Sequence, residues 1–398
     1  MSERNFKTII DFGSSKVRLA NFNINSPKKT FIDERSHTGN LNLKNFNIDE
    51  ANNLLGELIK VSEKKIENHI KEVVVILDTQ DTNFINMTIT KNLEDKILDK
   101  PDIEYLLKDA IILIQKNNSD KKILHTIIQN YIFDNQNYEN LPKNLLKCKK
   151  FSLEIKFLLI PNIIVKKLEE IFKKNEIIIT NIYLSSYIKS LNYRNNFYQY
   201  DICFFLDIGS NKTCLTVFDK NKLTYIRSIP IGGNHLTNDI AKIFKIDFDS
   251  AEKIKHKLRE LDIIFENTLR EKLPKSNIKI DINNKDFLEL TKNIIHARIE
   301  EILQLSFINL NLKDSVKKDE RSILIFSGNG SKILDKNSIY LSENFDSFND
   351  INFYEETNDL IFKAAYKFIV DKKFEEVLEN SKKPKKLGLF ERIFNYFN

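Results

Sequence analysis

Two kinds of hydrophobic pattern alternate along this chain. Short apolar runs that lead into Asp-x-Gly-Ser are followed by residues that alternate between apolar and polar, as in Ile9–Phe22 and Phe205–Phe218. Such alternation is typical of half-buried β-strands, and a Gly-Ser-x-Lys segment between two strands is typical of a tight turn. Each segment therefore predicts a β-hairpin, with one strand before the turn and one after it.

The two predicted hairpins repeat the same residues in register. Aligning their Asp residues gives six identical pairs: Asp11/Asp207, Gly13/Gly209, Ser14/Ser210, Lys16/Lys212, Leu19/Leu215 and Phe22/Phe218. Turns lined by backbone N–H and hydroxyl groups bind anions. Two such hairpins on opposite sides of a cleft would clamp a polyphosphate. Asp11 and Asp207, at the strand ends, would then hold Mg²⁺ through water.

Several further segments follow the helical period, with apolar residues at i, i+3 and i+4. This period predicts helices near residues 49–69, 101–116, 185–191, 249–261, 287–305 and 356–378. Buried strands are predicted near residues 73–78, 278–282 and 322–326. After the Gly-Gly pair, Thr237 or Asn238 is the predicted N-cap of another helix. Short strands around the helix at 101–116 predict a small α+β module inserted at 79–164.

Glycine is scarce, and its placement is informative. The chain has nine glycines, and six of them fall at four short sites, namely Gly13, Gly209, Gly232 with Gly233, and Gly328 with Gly330. Glycine is used where φ must be positive or where a ligand comes close to the backbone. These four sites are therefore the predicted ligand-binding turns.

Charge and composition exclude several classes of protein. The net charge is +6, but the segment from Lys382 onward holds five basic residues and one acid, so the body is close to neutral and makes a poor nucleic-acid binder. No P-loop and no Gly-x-Gly-x-x-Gly motif is present. The three cysteines lack metal or redox spacing, which predicts a reducing cytoplasm. His125 and His235 are each isolated and are predicted to be structural.

The C-terminal sequence KKPKKLGLFERIFNYFN predicts an amphipathic membrane-surface helix. On a helix, Phe390, Ile393, Phe394 and Phe397 share one face, extended by Leu387 or Leu389, and Lys385 and Lys386 precede it. A basic linker with aromatic residues on one face is typical of a segment that lies on anionic lipid. The alternatives are a terminal core helix and an oligomer contact.

With these motifs in order, the chain resembles the actin/Hsp70/sugar-kinase ATPase superfamily and, within it, the FtsA family of bacterial cell-division proteins. The segments IPIGGNHLTNDIAKIF, SAEKIK, KKILHTIIQNYIFDNQ and IIHARIEEIL carry the closer resemblance. It covers nearly the whole chain. It implies an α/β, two-lobed actin-like ATPase fold with an inserted α+β subdomain and a C-terminal amphipathic helix.

The resemblance also implies domain boundaries and an ATP- and Mg²⁺-binding site. The implied domains are a first lobe (1–78 and 165–198), the inserted subdomain (79–164), a second lobe (199–235 and 302–378), its smaller subdomain (236–301), a basic linker (379–386) and the terminal helix (387–398). The implied nucleotide contacts are Asp11, Gly13, Ser14, Ser15 and Lys16; Asp207, Gly209, Ser210, Asn211, Lys212 and Thr213; Gly232, Gly233 and Asn234; Glu252 and Lys255; and Gly328, Asn329 and Gly330.

The implied function is that of a protein that tethers FtsZ filaments to the cytoplasmic face of the inner membrane at the division septum and self-associates into protofilaments. Lys292 and Arg298 are the predicted contacts for the FtsZ C-terminal tail, with a solvated helix face as the alternative. Later divisome proteins would be further partners. An MreB-like shape-determining filament protein is the alternative function; a sugar kinase and an Hsp70-type chaperone fit less well.

The second phosphate motif departs from the family pattern. It reads Asp-Ile-Gly-Ser-Asn-Lys-Thr where the family has Asp-x-Gly-Gly-Gly-Thr-Thr. The two replaced glycines reduce backbone freedom near the phosphates, and Lys212 adds a cation. No residue is recognisable that would orient an attacking water. The sequence therefore predicts a weak or regulatory ATPase at most.

Overall fold

The fold is known from a computed structural model. It describes residues 6–13, 15–23, 26–36, 48–142, 146–261, 285–308, 310, 320–334, 348–357 and 359–370. The described residues divide into two compact units. The first lies within Met1–Phe84, Asp120–Lys122 and Ile160–Asp371, and the second comprises Ile85–Ser119 and Ile123–Leu159.

The first unit begins with a five-stranded sheet, called here the first sheet. Its strands are β1 (Phe6–Phe12), β2 (Lys16–Asn23), β3 (Ser26–Ser36), β4 (Glu72–Leu77) and β9 (Ile178–Leu184), in the order β3-β2-β1-β4-β9. Helices α1 (Ile48–Ile66), α3 (Asn162–Lys174) and α4 (Ser185–Arg194) belong to the same unit. The hairpin strands are antiparallel, whereas β4 runs parallel to β1 and β9 parallel to β4.

The second sheet of the unit repeats this topology. Its strands are β10 (Ile202–Ile208), β11 (Thr213–Asp219), β12 (Lys222–Ile229), β13 (Ser322–Ser327) and β14 (Asp350–Phe353), in the order β12-β11-β10-β13-β14. Helices α5 (Gly233–Phe244), α6 (Phe248–Leu261) and α7 (Lys285–Phe307) follow β12, a 3₁₀ turn (Asn329–Ile333) follows β13, and α8 (Leu360–Val370) follows β14. Two copies of one strand order place the two predicted hairpins in equivalent positions.

Apolar runs form the central strands because parallel strands are covered on both faces. All six residues of β13 are buried, and so are six of the seven residues of β10 and five of the six of β4. Phe204, Leu206 and Phe326 join residues of α5, α6 and α7 in one apolar cluster. This core fixes the ends of β10 and β13, where the hairpin turn and the Gly-rich turn begin.

The second unit is a four-stranded sheet with one helix. Its strands are β5 (Asn83–Ile97), β6 (Lys121–Phe133), β7 (Gln136–Tyr138) and β8 (Lys147–Pro161), in the order β5-β8-β6-β7, and its helix is α2 (Lys100–Asn117). Asp99 caps α2 by accepting a hydrogen bond from the Asp102 N–H at 2.8 Å. The helix packs Leu106, Leu107, Ala110 and Ile114 into the core of this unit.

Two predicted helix starts are wrong. Helix α5 begins at Gly233, so neither Thr237 nor Asn238 is its N-cap; Thr237 lies one turn inside and donates to the Gly233 carbonyl at 3.2 Å. The final helix begins at Leu360 rather than at residue 356. Both errors arise because tertiary contacts fix the chain before each helix. None of the helices within the described ranges combines the length and apolar character needed to cross a membrane.

Several predictions lie outside the described residues. They are the strand at 278–282, the basic linker at 379–386 and the terminal helix at 387–398, with all its predicted membrane contacts. Ser14 of the first hairpin is outside them as well. The domain boundaries read from the sequence stay predictions.

Candidate functional site

The two hairpins close in the same way. The Gly13 N–H donates to the Lys16 carbonyl at 3.0 Å, and the Gly209 N–H donates to the Lys212 carbonyl at 2.8 Å. In each case the residue before the glycine and the residue after the lysine are the last pair of the strand ladder. The repeated sequence therefore specifies a repeated turn.

The two turns meet. The hydroxyl oxygens of Ser15 and Ser210 lie 3.0 Å apart and share a hydrogen bond. Beside them is a cavity of about 150 Å³. It is lined by Asp11, Phe12, Gly13, Ser15, Lys16, Arg18, Glu34 and Asp78 from β1 to the end of β4, by Ser185 and Lys189 on α4, by Asp207, Gly209, Ser210, Lys212, Cys214 and Ser228 from the second hairpin and β12, and by Gly328, Asn329, Glu356 and Thr357.

Internal packing accounts for the glycines of the second sheet. A Cβ atom at Gly232 would lie 2.5 Å from the Gly209 carbonyl oxygen, and one at Gly330 would lie 2.9 Å from the same oxygen. Gly328 has φ +86°, and a Cβ there would lie 2.3 Å from Asp207 Oδ1. The Gly233 N–H donates to the Gly209 carbonyl at 2.9 Å. These glycines let three turns touch through backbone atoms, which is a different reason from ligand approach.

Asp11 is held by a residue of its own hairpin. It pairs in register with Arg18 on β2, and its Oδ2 atom accepts from Arg18 Nε at 2.9 Å and from Arg18 Nη2 at 2.5 Å. The Asp11 side chain is 7% exposed. A carboxylate buried to this degree needs a partner of opposite charge, and Arg18 supplies it.

Asp207 is held by a residue from outside its hairpin. Its Oδ2 atom accepts from Lys189 Nζ at 2.9 Å, and the same Nζ donates to Glu356 Oε2 at 3.1 Å. Glu356 Oε1 accepts from the Tyr193 hydroxyl at 2.6 Å. Burial raises the pKa of Asp207 to about 6, with Lys189 opposing the shift. Burial would lower the pKa of Lys189, but Asp207 and Glu356 together raise it.

The equivalent lysines of the two turns differ in their partners. Lys16 is 43% exposed and pairs with Glu34 on β3 at 2.8 Å. Lys212 instead donates to the backbone carbonyl of Asp78, at the end of β4 in the first sheet. Burial lowers the pKa of Lys212 and raises the pKa of Asp78. Asp78 also accepts from the Ser186 N–H at 3.0 Å and from its hydroxyl at 2.8 Å.

Several of the predicted nucleotide contacts form a packed group outside the cavity lining. Lys255 Nζ donates to Glu252 Oε2 at 2.6 Å, to the Thr237 hydroxyl at 2.7 Å and to the Gly233 carbonyl at 3.2 Å. Asn234 Nδ2 donates to Asn211 Oδ1 at 2.9 Å. The Thr213 side chain is fully buried and donates to the Ile231 carbonyl at 2.7 Å.

The structure thus places ten of the predicted nucleotide contacts in the cavity lining and eight outside it. Asp11, Gly13, Ser15, Lys16, Asp207, Gly209, Ser210, Lys212, Gly328 and Asn329 line the cavity. Asn211, Thr213, Gly232, Gly233, Asn234, Glu252, Lys255 and Gly330 are not in its lining. Their roles in nucleotide binding stay predictions.

Five charged residues of the cavity were not predicted from the sequence, namely Arg18, Glu34, Asp78, Lys189 and Glu356. Arg18 had a signal, since it lies opposite Asp11 in any hairpin with this turn. Asp78 had one too, because it ends a buried strand as Asp11 and Asp207 do. Lys189 and Glu356 had none, because their partners lie far away in the sequence.

The geometry does not suit Mg²⁺ at the two predicted ligands. Asp11 Oδ2 is occupied by Arg18 and Asp207 Oδ2 by Lys189, and Gly328 lies against Asp207 Oδ1. Over the described ranges, no group of three or more His, Cys, Asp or Glu side chains is arranged to hold a metal ion. Mg²⁺ binding at this site stays a prediction, and the ion pairs of Asp11 and Asp207 argue against it.

The predicted partner contacts lie on α7. Arg298 donates to Asp239 on α5, from Nε to Oδ2 at 2.6 Å and from Nη2 to Oδ1 at 2.9 Å, and it also pairs with Glu301. An acidic peptide would therefore have to compete with Asp239 for Arg298. Lys292 lies on the same helix and is half-buried. Elsewhere, His125 is buried on β6, and His235 accepts from the Gly232 N–H at 3.2 Å, near the start of α5.

Comparison with known proteins supports the resemblance to FtsA over part of the chain. Residues 204–335, which include the second hairpin and both Gly-rich turns, match the model of the family "Cell division protein FtsA". The chain is related to FtsA. FtsA of Bacillus subtilis is 25% identical over 65% of this chain and 58% of its own length; FtsA of Helicobacter pylori is 24% identical over 54% and 42%. The chain spans about half the length of the curated FtsA relatives it matches.

A solved structure supports the fold. The PilM–PilN type IV pilus biogenesis complex contains a chain with a TM-score of 0.53 and 12% identity, covering 91% of this chain and 90% of that one. At this identity the likeness concerns the fold alone. Together with the duplicated sheet topology, it confirms the predicted α/β actin-like ATPase fold for the described residues. The curated relatives are named as cell-division proteins.

Proposed function

We propose that this FtsA relative is an actin-like cell-division protein that binds ATP beside the paired hairpins and joins FtsZ filaments to the inner membrane. It acts on the cytoplasmic face at the division septum and self-associates into protofilaments. The observation that carries the proposal is the FtsA match over residues 204–335. The MreB-like alternative has no comparable support, because the family model and the curated relatives bear the FtsA name.

The chemistry of the cavity supports a phosphate-bearing ligand. Three buried or half-buried cations, Arg18, Lys189 and Lys212, line one cavity together with the two hairpin turns. Ser228 lines it as well, and its buried Oγ has no hydrogen-bond partner in the part of the chain that the structure describes. Cations and free hydroxyl groups are what phosphate oxygens require.

The cavity does not favour fast hydrolysis. Its acids, among them Asp78, Asp207 and Glu356, are already engaged by Ser186, Lys189 and Tyr193. A carboxylate held in this way is poorly placed to orient an attacking water. Nucleotide turnover is therefore slow or regulatory at most.

The partner role is tested by titrating a labelled peptide of the FtsZ C-terminal tail into the protein, with and without ATP. Saturable binding is expected, and Lys292→Glu should weaken it about tenfold, or 1.4 kcal/mol. Charge reversal at Arg298 would also break the contact with Asp239, so Arg298 is not used as the probe. The matched control is Lys173→Glu, on the exposed part of α3. Absence of binding in both nucleotide states would remove the adaptor role and leave the fold assignment intact.

The membrane role is tested by co-sedimentation with vesicles that contain anionic lipid. The full chain should bind, and a chain that ends before Lys382 should not. Vesicles of neutral lipid should bind more weakly, because each Lys near an anionic surface contributes about 1 kcal/mol. Equal binding by the two chains would rule out the tail as the tether.

A further inference from the structure

The strongest unexplained feature is a buried lysine between two carboxylates. Lys189 Nζ lies 2.9 Å from Asp207 Oδ2 and 3.1 Å from Glu356 Oε2, and its side chain is 11% exposed. The two carboxylates come from β10 and from the loop after β14, whereas Lys189 comes from α4. Carboxylates that converge from separate elements are what a divalent cation requires. Here their common partner is an ammonium group.

Both carboxylates are satisfied without a metal. Glu356 uses Oε2 for Lys189 and Oε1 for the Tyr193 hydroxyl, at 2.6 Å. Asp207 uses Oδ2 for Lys189, and its Oδ1 lies where a side chain at Gly328 would have to be. A metal ion would have to displace one of these contacts before it gained a ligand.

The surrounding charge also opposes a metal ion. Arg18, Lys189 and Lys212 line the same cavity. Two unit charges 4 Å apart interact by about 4 kcal/mol at an effective dielectric constant of 20, so a divalent ion near one of these cations meets about twice that repulsion. Mg²⁺ also gives up its water shell reluctantly. The same cations attract phosphate oxygens.

We propose that the Lys189 ammonium takes the place of a divalent cation in this cavity, so that phosphate groups bind there without metal. The part that concerns phosphate rests on the proposed nucleotide-binding function. The part that concerns metal does not, because it follows from the contacts of Asp207 and Glu356 alone.

The metal part is tested with Mn²⁺ and no nucleotide. Electron paramagnetic resonance should show that millimolar Mn²⁺ stays free in the presence of the wild-type protein. In Lys189→Gln the two carboxylates lose their cation, so Mn²⁺ should bind and raise the melting temperature, as any ligand of the native state does. The control Lys173→Gln removes an exposed lysine of α3 that is not part of the cavity lining and should show neither effect. Mn²⁺ bound by the wild type and released in Asp207→Asn would overturn the proposal, even if Lys189→Gln failed to fold.

The phosphate part is tested by titrating a fluorescent ATP analogue in EDTA and in Mg²⁺. The two dissociation constants should agree within about twofold, or 0.4 kcal/mol. Binding that is at least about tenfold weaker in EDTA would overturn metal-free binding. Absence of binding in both conditions would count against the proposed nucleotide function, while the Mn²⁺ experiment would still decide the role of Lys189.

Discussion

The two hairpin sheets of the first unit have the same strand order, the same turn and the same Asp-x-Gly-Ser-x-Lys sequence, yet they differ in how they satisfy charge. In the first, Asp11 is paired by Arg18 from the neighbouring strand. In the second, the position equivalent to Arg18 is Cys214, and Asp207 depends on Lys189 from α4. The aspartate of the first hairpin is paired within that hairpin, whereas the aspartate of the second is paired by a lysine from another part of the chain.

The lysine side chains of the two turns also point toward different sheets. Lys16 points to its own sheet, where it meets Glu34, whereas Lys212 reaches the Asp78 carbonyl of the other sheet. Lys189, Lys212 and Ser210 thus give the second hairpin its contacts with residues outside its own sheet. Repeated sequence fixes repeated backbone, but a single replaced residue redirects the side-chain contacts. The second hairpin should therefore be the more sensitive of the two to substitution.

The largest difference is expected at Lys189. Lys189→Met leaves Asp207 and Glu356 buried without their cation, which should lower the free energy of unfolding by about 3–5 kcal/mol. Lys16→Met removes a lysine from an exposed pair and should cost at most about 1 kcal/mol. Urea denaturation of both variants checks this. Equal losses would contradict the asymmetry.

A second contrast concerns Gly328. It is the counterpart of Leu77, since Asp11 pairs with Ile76 and Asp207 with Ser327. Gly328→Ala should cost about 2–4 kcal/mol, because φ is +86° and the new Cβ would meet Asp207 Oδ1 and the Ile208 carbonyl. Gly56→Ala in α1 is the control, where a Cβ meets a side-chain oxygen only, at 3.1 Å. Thermal unfolding should separate the two variants, and equal melting temperatures would argue against backbone crowding.

The two turn lysines offer a smaller contrast. Lys212→Met leaves the Asp78 carbonyl without this donor and should cost about 1–2 kcal/mol. Lys16→Met should remain at or below about 1 kcal/mol. Denaturant midpoints of the two variants, compared at equal slope, measure the difference. A larger loss for Lys16→Met would reverse the assignment of the two turns.

The smallest effect is expected for the contact between the turns. Ser15→Ala and Ser210→Ala should each cost about 0.5–1 kcal/mol, since a neutral hydrogen bond contributes this much. The double variant should cost less than the sum of the two single ones, because both remove the same bond. Strict additivity in a double-mutant cycle would mean that the hydroxyl groups do not interact in solution.

The sequence predicted the features that depend on local pattern. Period-two alternation located both hairpins, and the in-register repeat anticipated the duplicated sheets. It did not predict Lys189 or Glu356, because burial and long-range proximity decide their role. It also assigned Gly232 and Gly330 to ligand approach, which stays a prediction, while crowding around the Gly209 carbonyl gives a second reason for glycine there. The positions of the few glycines predicted which turns come together. Only the structure showed which atoms surround each glycine.

The backbone contact among Gly209, Gly233 and Gly330 has a mechanical consequence. The three turns touch through backbone atoms, with no side chains between them. Because the contact is close-packed, a displacement of one turn also displaces the other two. The second hairpin is thereby coupled to α5, and α5 carries Asp239, which grips Arg298 on α7. A displacement of the second hairpin would therefore be transmitted through α5 to α7.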